Sequence, residues 1–386
     1  MAWQTKKLGE ICDFEGGSQP PKSNFIHEPR KGYVRFLQIR DFASDKHITY
    51  IPDSKKNRHC DEDDILLGRY GASVGKILVN KKGAYNVAVM KTMPNPEMID
   101  KTYFYYYLIS DEFQKPLSKV AARSAQAGFS KDDIYNFPVL TPSISEQKRI
   151  VKKLDEVFEK VATAKENAEK NLQNSKELFE SYLQSMFANP GKDWEETSLG
   201  DAYDVRDGTH DSPRYQKEGF ALITSKNLKR DLLNFNKVKY ISEKDYKKIN
   251  DRSRVDKGDM LFAMIGTIGN PVVVEVEPSF AIKNVALFKI PKEQNAYFLK
   301  YFLDSSFVIN KMMSEAKGTT QKFVGLGYLR SFKIKLPSLL EQKTIVKKLE
   351  SLSFETRKLE KIYTQKLADL DELKKSVLKK AFAGEL

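Results

Sequence analysis

Pro142-Ser143-Ile144-Ser145-Glu146-Gln147 runs on to Ile150-Val151-Lys152-Lys153-Leu154, and 195 residues later Pro337-Ser338-Leu339-Leu340-Glu341-Gln342 runs on to Ile345-Val346-Lys347-Lys348-Leu349. Serine followed three residues later by glutamate is capping-box spacing. The Ser143 or Ser338 hydroxyl takes a free N-terminal amide, and Glu146 or Glu341 reaches back to the cap. The preceding proline stops any upstream helix. Mostly apolar side chains then recur in steps of three and four: Ile150, Leu154, Val157, Val161, Ala164 and Ala168, then Ile345, Leu349, Leu352, Thr356, Leu359 and Tyr363. That spacing predicts a coiled-coil seam. No proline or glycine interrupts either stretch before Pro190 and Gly384, so each helix could run roughly 65 Å.

Outward from these helices the rest of the chain repeats as well. Trp3, Leu8, Gly9, Gly17 and Ser18 match Trp194, Leu199, Gly200, Gly208 and Thr209. Asn86-Val87-Ala88 with Lys91 matches Asn284-Val285-Ala286 with Lys289, and Tyr103-Phe104 with Tyr107 matches Tyr297-Phe298 with Tyr301. Ser181, Leu183, Phe187 and Ala188 match Ser376, Leu378, Phe382 and Ala383. An ordered series of this kind is a duplication. It divides the chain into a globular segment 1–142, a helix 143–190, a second globular segment 191–337 and a second helix 338–386. Two long helices behind equivalent domains can bury their seams on each other by packing antiparallel, a pseudo-two-fold arrangement.

The globular segments carry short aromatic and β-branched runs between Gly, Pro, Asn and Asp, such as Tyr33-Val34-Arg35-Phe36-Leu37 and Val272-Val273-Val274. We expect mixed α/β domains with mainly antiparallel strands, an α+β fold overall. Tyr103–Phe113 and Tyr297–Val308 read as short amphipathic helices with their aromatics in the core.

A chain of 386 residues with 40% hydrophobic and 30% charged side chains can bury more than one core. Its net charge of +13 favours a polyanionic partner. The excess lies outside the first helix, with 21 basic against 17 acidic residues over 1–142, 8 against 8 over 143–190, 25 against 19 over 191–337 and 11 against 8 over 338–386. No apolar run reaches bilayer-spanning length and no leader pattern opens the chain, which suggests a cytoplasmic protein without a membrane partner. Cys12 and Cys60 stand alone, supporting neither a disulfide framework nor a metal site.

Glycine and polar side chains combine in matching loops of the two halves. In the first, Gly16-Gly17-Ser18-Gln19-Pro20-Pro21-Lys22, Gln38-Ile39-Arg40-Asp41 and Gly68–Lys76 offer Ser18, Gln19, Lys22, Gln38, Arg40, Arg69, Tyr70, Ser73 and Lys76, with Arg123 and Gln126 further on. In the second, Asp207–Arg214, Thr224–Asn227 and Met264–Asn270 offer Thr209, His210, Arg214, Thr224, Lys226, Asn227, Thr267 and Asn270, with Thr320, Gln321 and Lys322 further on. Arg, Lys, Gln and Asn carry donors and acceptors that read base edges, while Ser, Thr and backbone amides hold phosphates. Turn chemistry on a soluble domain explains the same residues one at a time. Lys152, Lys153, Lys347 and Lys348 fit a solvated helix face or a docking face for partner proteins.

Catalytic signatures are missing. Gly71–Lys76 has glycines too close for a phosphate-binding loop, and Ile77 stands where Ser or Thr would hold magnesium. There is no Asn-Pro-Pro-Tyr, HExxH or GxSxG motif, and adjacency of His210 and Asp211 does not orient a dyad. A binding role is favoured, with no catalytic residue and no metal.

The alternation of globular segment and long helix, the duplicated Pro-Ser-x-x-Glu-Gln starts, the Trp-x4-Leu-Gly openings and Asp207-Gly208-Thr209-His210-Asp211-Ser212-Pro213 resemble the DNA specificity subunit of type I restriction-modification enzymes. That resemblance implies two target recognition domains, each reading half of an asymmetric bipartite site in double-stranded DNA, held apart by antiparallel helices. Two methyltransferase subunits would dock around the chain and bring S-adenosylmethionine. Restriction subunits with ATP and magnesium could join them, so this chain itself would bind no cofactor. A specificity subunit of a related bipartite system outside type I, and a coiled-coil scaffold without a DNA role, stay open at this point.

Overall fold

The computed structural model describes residues 3–122, 127–229, 232–318 and 322–386. Contacts gather the chain into two compact units, Met1–Ala168 with Gln365–Leu386, and Glu169–Thr364. Each unit includes part of both long helices, Ile144–Ala188 and Leu339–Ala383.

In the first unit, one antiparallel sheet has the order Cys12–Gly16, Val89–Pro94, Leu66–Gly68, Ile77–Leu78. A second has the order Tyr50–Pro52, Tyr33–Leu37, Gly83–Tyr85, His59–Cys60, with its central pair parallel. The ribbon Gln4–Lys7 with Pro138–Thr141 brings the start of the domain beside its end. The second unit repeats this plan with Asp204–Asp207, Val285–Lys289, Met260–Ala263 and Gly269–Val273 in one sheet. Its other sheet is Lys239–Ile241, Phe220–Ile223, Phe280–Ile282, again with one parallel pair. The ribbon there is Glu195–Ser198 with Lys333–Leu336. Mixed, mainly antiparallel domains are thus what the runs of β-branched and aromatic residues form.

The aromatic segments differ from expectation. Each is a pair of helices, Lys101–Ile109 with Asp111–Ala121, and Ala296–Asp304 with Ser306–Glu315. Ser110 and Ser305 break them, each hydroxyl donating 2.7 Å back to the carbonyl of Tyr107 or Phe302. Lys101–Ile109 buries Tyr103, Phe104, Tyr106, Tyr107 and Leu108, positions that span more than half of its circumference, so its buried face is far wider than a narrow stripe. The hydroxyls offset the cost of this burial by bonding outward, Tyr103 to Leu140 O at 2.9 Å and Tyr107 to Pro138 O at 3.2 Å.

In the first unit the start of one long helix lies on the end of the other. Ile150 and Leu154 join Leu378, Ala381 and Phe382 in the core beneath Tyr103 and Tyr107. Arg149 donates to Leu386 O at 2.6 Å, Lys374 sits 4.8 Å over the Phe158 ring, and Lys165 meets Asp371 at 3.0 Å, an antiparallel order. In the second unit Phe179, Leu183 and Phe187 join Val346 and Leu349. The seam is buried at Ile150, Leu154, Val161, Ala168, Leu349 and Thr356. Leu359 departs from it at 37% exposure.

Strand pairing also refines the duplication. Gly16 faces Met90 in one unit and Asp207 faces Ala286 in the other, so the hydrogen-bond register equates Met90, not Ala88, with Ala286. The motif match is offset by two residues. Because side chains alternate with period two, such a slip leaves every residue on its own face. It therefore leaves the ion pairs in place, Lys91 on Asp64 at 2.5 Å and Lys289 on Asp259 at 2.6 Å.

Candidate nucleic-acid interface

The helix starts are built by a residue whose role the motif alone did not disclose. Ser143 and Ser338 do cap, each hydroxyl accepting at 3.3 Å from the glutamate amide three residues on. The glutamate carboxylates turn elsewhere: Glu146 takes Arg149 at 2.6 and 2.7 Å, and Glu341 takes the Trp194 indole at 3.0 Å. The glutamines are buried. Gln147 accepts from Asp100 N at 2.7 Å and donates to Pro142 O at 2.9 Å and Met98 O at 3.1 Å. Gln342 accepts from Asn295 N and donates to Pro337 O and Gln294 Oε1, all at 2.9 Å. Each glutamine ties a long helix to the cap of the buried aromatic helix.

The first glycine loop leaves its sheet at a position where any side chain would force the backbone to shift. A Cβ on Gly17 would lie 2.0 Å from Asn86 O, and one on Gly208 would lie 2.3 Å from Ile282 O. This close approach lets Ser18 N reach Tyr85 O at 3.1 Å and Thr209 N reach Ile282 O at 3.0 Å. Ser18 is half-buried, while Gln19 and Lys22 are exposed. Thr209 is half-buried and takes Asp211 N on its hydroxyl at 3.2 Å; His210 and Arg214 are exposed.

The second loop divides into framework and free side chains. Gln38 is half-buried and Arg40 exposed; the fully buried Asp41 accepts from Gln38 N at 2.7 Å. Burial pushes the Asp41 carboxyl above its usual range. In the other unit Asn227 takes the same position, accepting from Thr224 N at 3.0 Å and Thr224 Oγ1 at 2.9 Å and donating to Asn234 O at 3.0 Å. Asn227 is therefore corrected from a base reader to a buried turn strut, and Thr224 spends its hydroxyl on it. Lys226 is exposed.

In the third loop Arg69 is half-buried, donating to Phe129 O at 3.3 Å with its guanidinium 5.1 Å from the centre of the Tyr70 ring. Ser73 is also a correction, since it is buried and donates to Tyr70 O at 2.6 Å. Tyr70 is 45% exposed and Lys76 is exposed. In the second unit Thr267 is exposed, and half-buried Asn270 has φ 49° near the start of the strand Gly269–Val273. Exposed Lys322 donates to Met313 O at 2.9 Å. Arg123, Gln126, Thr320 and Gln321 lie outside the described residues.

Two arginines that the loops did not point to stand beside these turns. Arg58 meets Glu15 at 2.8 Å, and Glu15 also accepts from the Tyr85 hydroxyl at 3.0 Å. Arg252 pairs with Asp207, whose other oxygen lies 2.8 Å from His210 Nε2; His210 Nδ1 lies 2.8 Å from Asn284 Oδ1. Both carboxylates come from the strand that leads into the glycine turn. Neither arginine has a glycine-rich neighbourhood, the signal that marks the other candidates.

Cys12 and Cys60 are buried free thiols, with burial pushing Cys60 up to about 11. Among the described residues no group of three or more His, Cys, Asp or Glu side chains gathers as a metal site, and no helix is long and apolar enough to cross a membrane.

Solved structures share the whole fold. A chain from a study of complex assembly and conformational transition of the type I R-M system aligns at TM-score 0.78 and 19% identity, covering 100% of this chain and 98% of that one. The HsdS subunit from Thermoanaerobacter tengcongensis aligns at 0.66 and 19%, covering 100% and 97%. Relatives by sequence include the type I restriction enzyme MjaVIII specificity subunit of Methanocaldococcus jannaschii, 24% identical with 100% of this chain and 93% of that protein covered. The EcoBI specificity subunit of Escherichia coli is also 24% identical, covering 100% and 86%. The family model for the type I restriction modification DNA specificity domain matches twice, over residues 2–173 and 191–368, so the duplication read from the helix starts is a duplication of that domain and the chain belongs to the family of type I restriction-modification DNA specificity subunits.

Proposed function

We propose that each unit reads one half of a split, asymmetric target in double-stranded DNA, and that the long helices hold two methyltransferase subunits around the chain. The contrast between a preserved frame and altered turns carries this reading. Gln147 and Gln342 make equivalent clamps, whereas Gln19-Pro20-Pro21 stands where the other turn has His210-Asp211-Ser212. A preserved frame suits identical partners; altered turns suit unlike half-sites. Adenine methylation, with its S-adenosylmethionine, belongs on this reading to the methyltransferases. Cleavage, with ATP and magnesium, would belong to restriction subunits wherever such subunits join the complex, and the complex works in the cytoplasm. The helices act as a ruler, because a fixed separation between readers fixes half-site spacing.

Mapping adenine methylation genome-wide with and without this gene tests the reading. A split motif with unlike halves, lost on deletion, is expected. A palindromic or unsplit motif overturns it.

A further inference from the structure

We infer that Arg58 and Arg252 are specificity-determining residues, each donating to a guanine edge in the half-site read by its own unit, with Glu15 and Asp207 as the positioning residues that aim them. The inference rests on the half-site reading above and adds the residues that would perform it.

The two arrangements share a plan although their residues differ. A carboxylate stands at or near the end of the strand feeding the glycine turn, Glu15 in Cys12–Gly16 and Asp207 in Asp204–Asp207. It is shielded, at 29% side-chain exposure for Glu15 and 10% for Asp207, and a second donor holds it: the Tyr85 hydroxyl in one unit, His210 in the other. The arginine it holds is mostly in solvent, at 55% for Arg58 and 65% for Arg252. Both arginines border the glycine turn. Arg58 O accepts from Tyr85 N while Tyr85 O accepts from Ser18 N, and Arg252 lines a cleft with Thr209, Ser212 and Lys248.

A guanidinium has five donors, and one carboxylate contact leaves most of them open in a fixed plane. Holding one end of the fork removes rotamers that an isolated surface arginine would lose on binding. The carboxylate also decides which part of DNA the fork suits. An arginine paired to a carboxylate is close to neutral as a unit, so its long-range pull on a phosphate is largely cancelled. Directional donation to an uncharged acceptor pair survives, and the O6 and N7 edge of guanine supplies that pair in the major groove. A phosphate-binding arginine needs no such partner.

The test uses the full chain assembled with its methyltransferase subunits and a pool of random duplexes. Wild type, Arg58→Ala, Arg252→Ala and Arg252→Lys each select from the pool, and each then binds the wild-type consensus across a salt series. Arg58→Ala is expected to lose the preference for one guanine in one half-site, and Arg252→Ala for one guanine in the other. Each should bind the consensus about ten- to a hundredfold more weakly. Arg252→Lys keeps the charge but not the fork, so it should not restore the lost preference. A motif that keeps every position while affinity falls for all sequences and the salt slope drops by about one marks a phosphate contact and overturns the proposal. Unchanged affinity and motif in either alanine variant also overturns it. The wild-type pool answers the half-site reading separately: an unsplit motif overturns that reading and this proposal together, whereas a split motif with unaltered variants overturns the proposal alone.

Discussion

The two glycine turns and the two helix starts came through the same duplication and now differ in opposite ways. At the helix starts the serine and the glutamine are the same in both copies, and they keep the same core bonds: a capping serine at 3.3 Å and a buried glutamine holding the cap of an aromatic helix and the preceding proline carbonyl. At the turns only the backbone is shared. Gly17 and Gly208 both press against a carbonyl, but the next two residues are Ser18 and Gln19 in one copy, Thr209 and His210 in the other. A buried hydrogen-bonded strut tolerates little change because every partner is left unpaired when it goes. An exposed side chain behind a fixed turn can change freely, which is what a reader of variable sequence requires.

The contrast is most severely tested at the glycines themselves. Gly17→Ala places a methyl 2.0 Å from Asn86 O, and Gly208→Ala places one 2.3 Å from Ile282 O, so backbone must move in either case. Urea denaturation should show a loss of about 3 kcal/mol or more for each. Hydrogen exchange should locate the loss in Met1–Ala168 for the first and in Glu169–Thr364 for the second. If one turn accepts alanine without cost, the two copies do not share a backbone constraint.

Next in size are the struts. Gln147→Ala orphans Asp100 N, Met98 O and Pro142 O, and Gln342→Ala orphans Asn295 N and Pro337 O. Each should cost about 2 kcal/mol by the same denaturation measurement. The two losses should agree within about 1 kcal/mol, given how strongly context scales such terms. A large loss at one and none at the other would show that the helix starts have diverged in energy while keeping their letters.

Periodicity made the helices legible: steps of three and four survive any context, and the structure buries Ile150, Leu154, Leu349 and Thr356 as that spacing demands. The duplication was legible for the same reason, apart from a two-residue slip that strand alternation hides. Gln147 was visible as a letter but not as a strut, because its partners Met98 and Asp100 lie almost fifty residues upstream and only folding brings them near. Asn227 reads wrongly in the sequence because an asparagine amide suited to adenine is equally suited to a turn, and burial alone decides between them. Arg252 escapes a sequence reading because it sits on Glu243–Ser253, a charged helix without a glycine to mark it.

The smallest expected effect sets Asp41 against Asn227, the same strut in two chemical forms. Both accept from the amide three residues earlier, Gln38 N at 2.7 Å and Thr224 N at 3.0 Å. Only Asp41 can ionise. It is fully buried, and burial raises its pKa above the ordinary 3.8 in spite of the Gln38 bond and nearby Arg40 and Arg35. A folded-state pKa above the unfolded one means the folded chain holds the proton more tightly. The stabilisation from that proton is complete below about 3.8 and disappears as pH rises through the raised value. Asp41→Asn keeps the acceptor and removes the charge, so it should flatten this part of the stability profile and gain relative to wild type at neutral pH. Asn227→Asp should import the same acid-side dependence into the second unit and lose stability at neutral pH. Denaturation midpoints of both variants from about pH 3.5 to about 7 read the sign directly. If Asp41→Asn is instead the weaker protein at about pH 7, the carboxylate is favoured where it sits, and the two turns are not one strut in two forms.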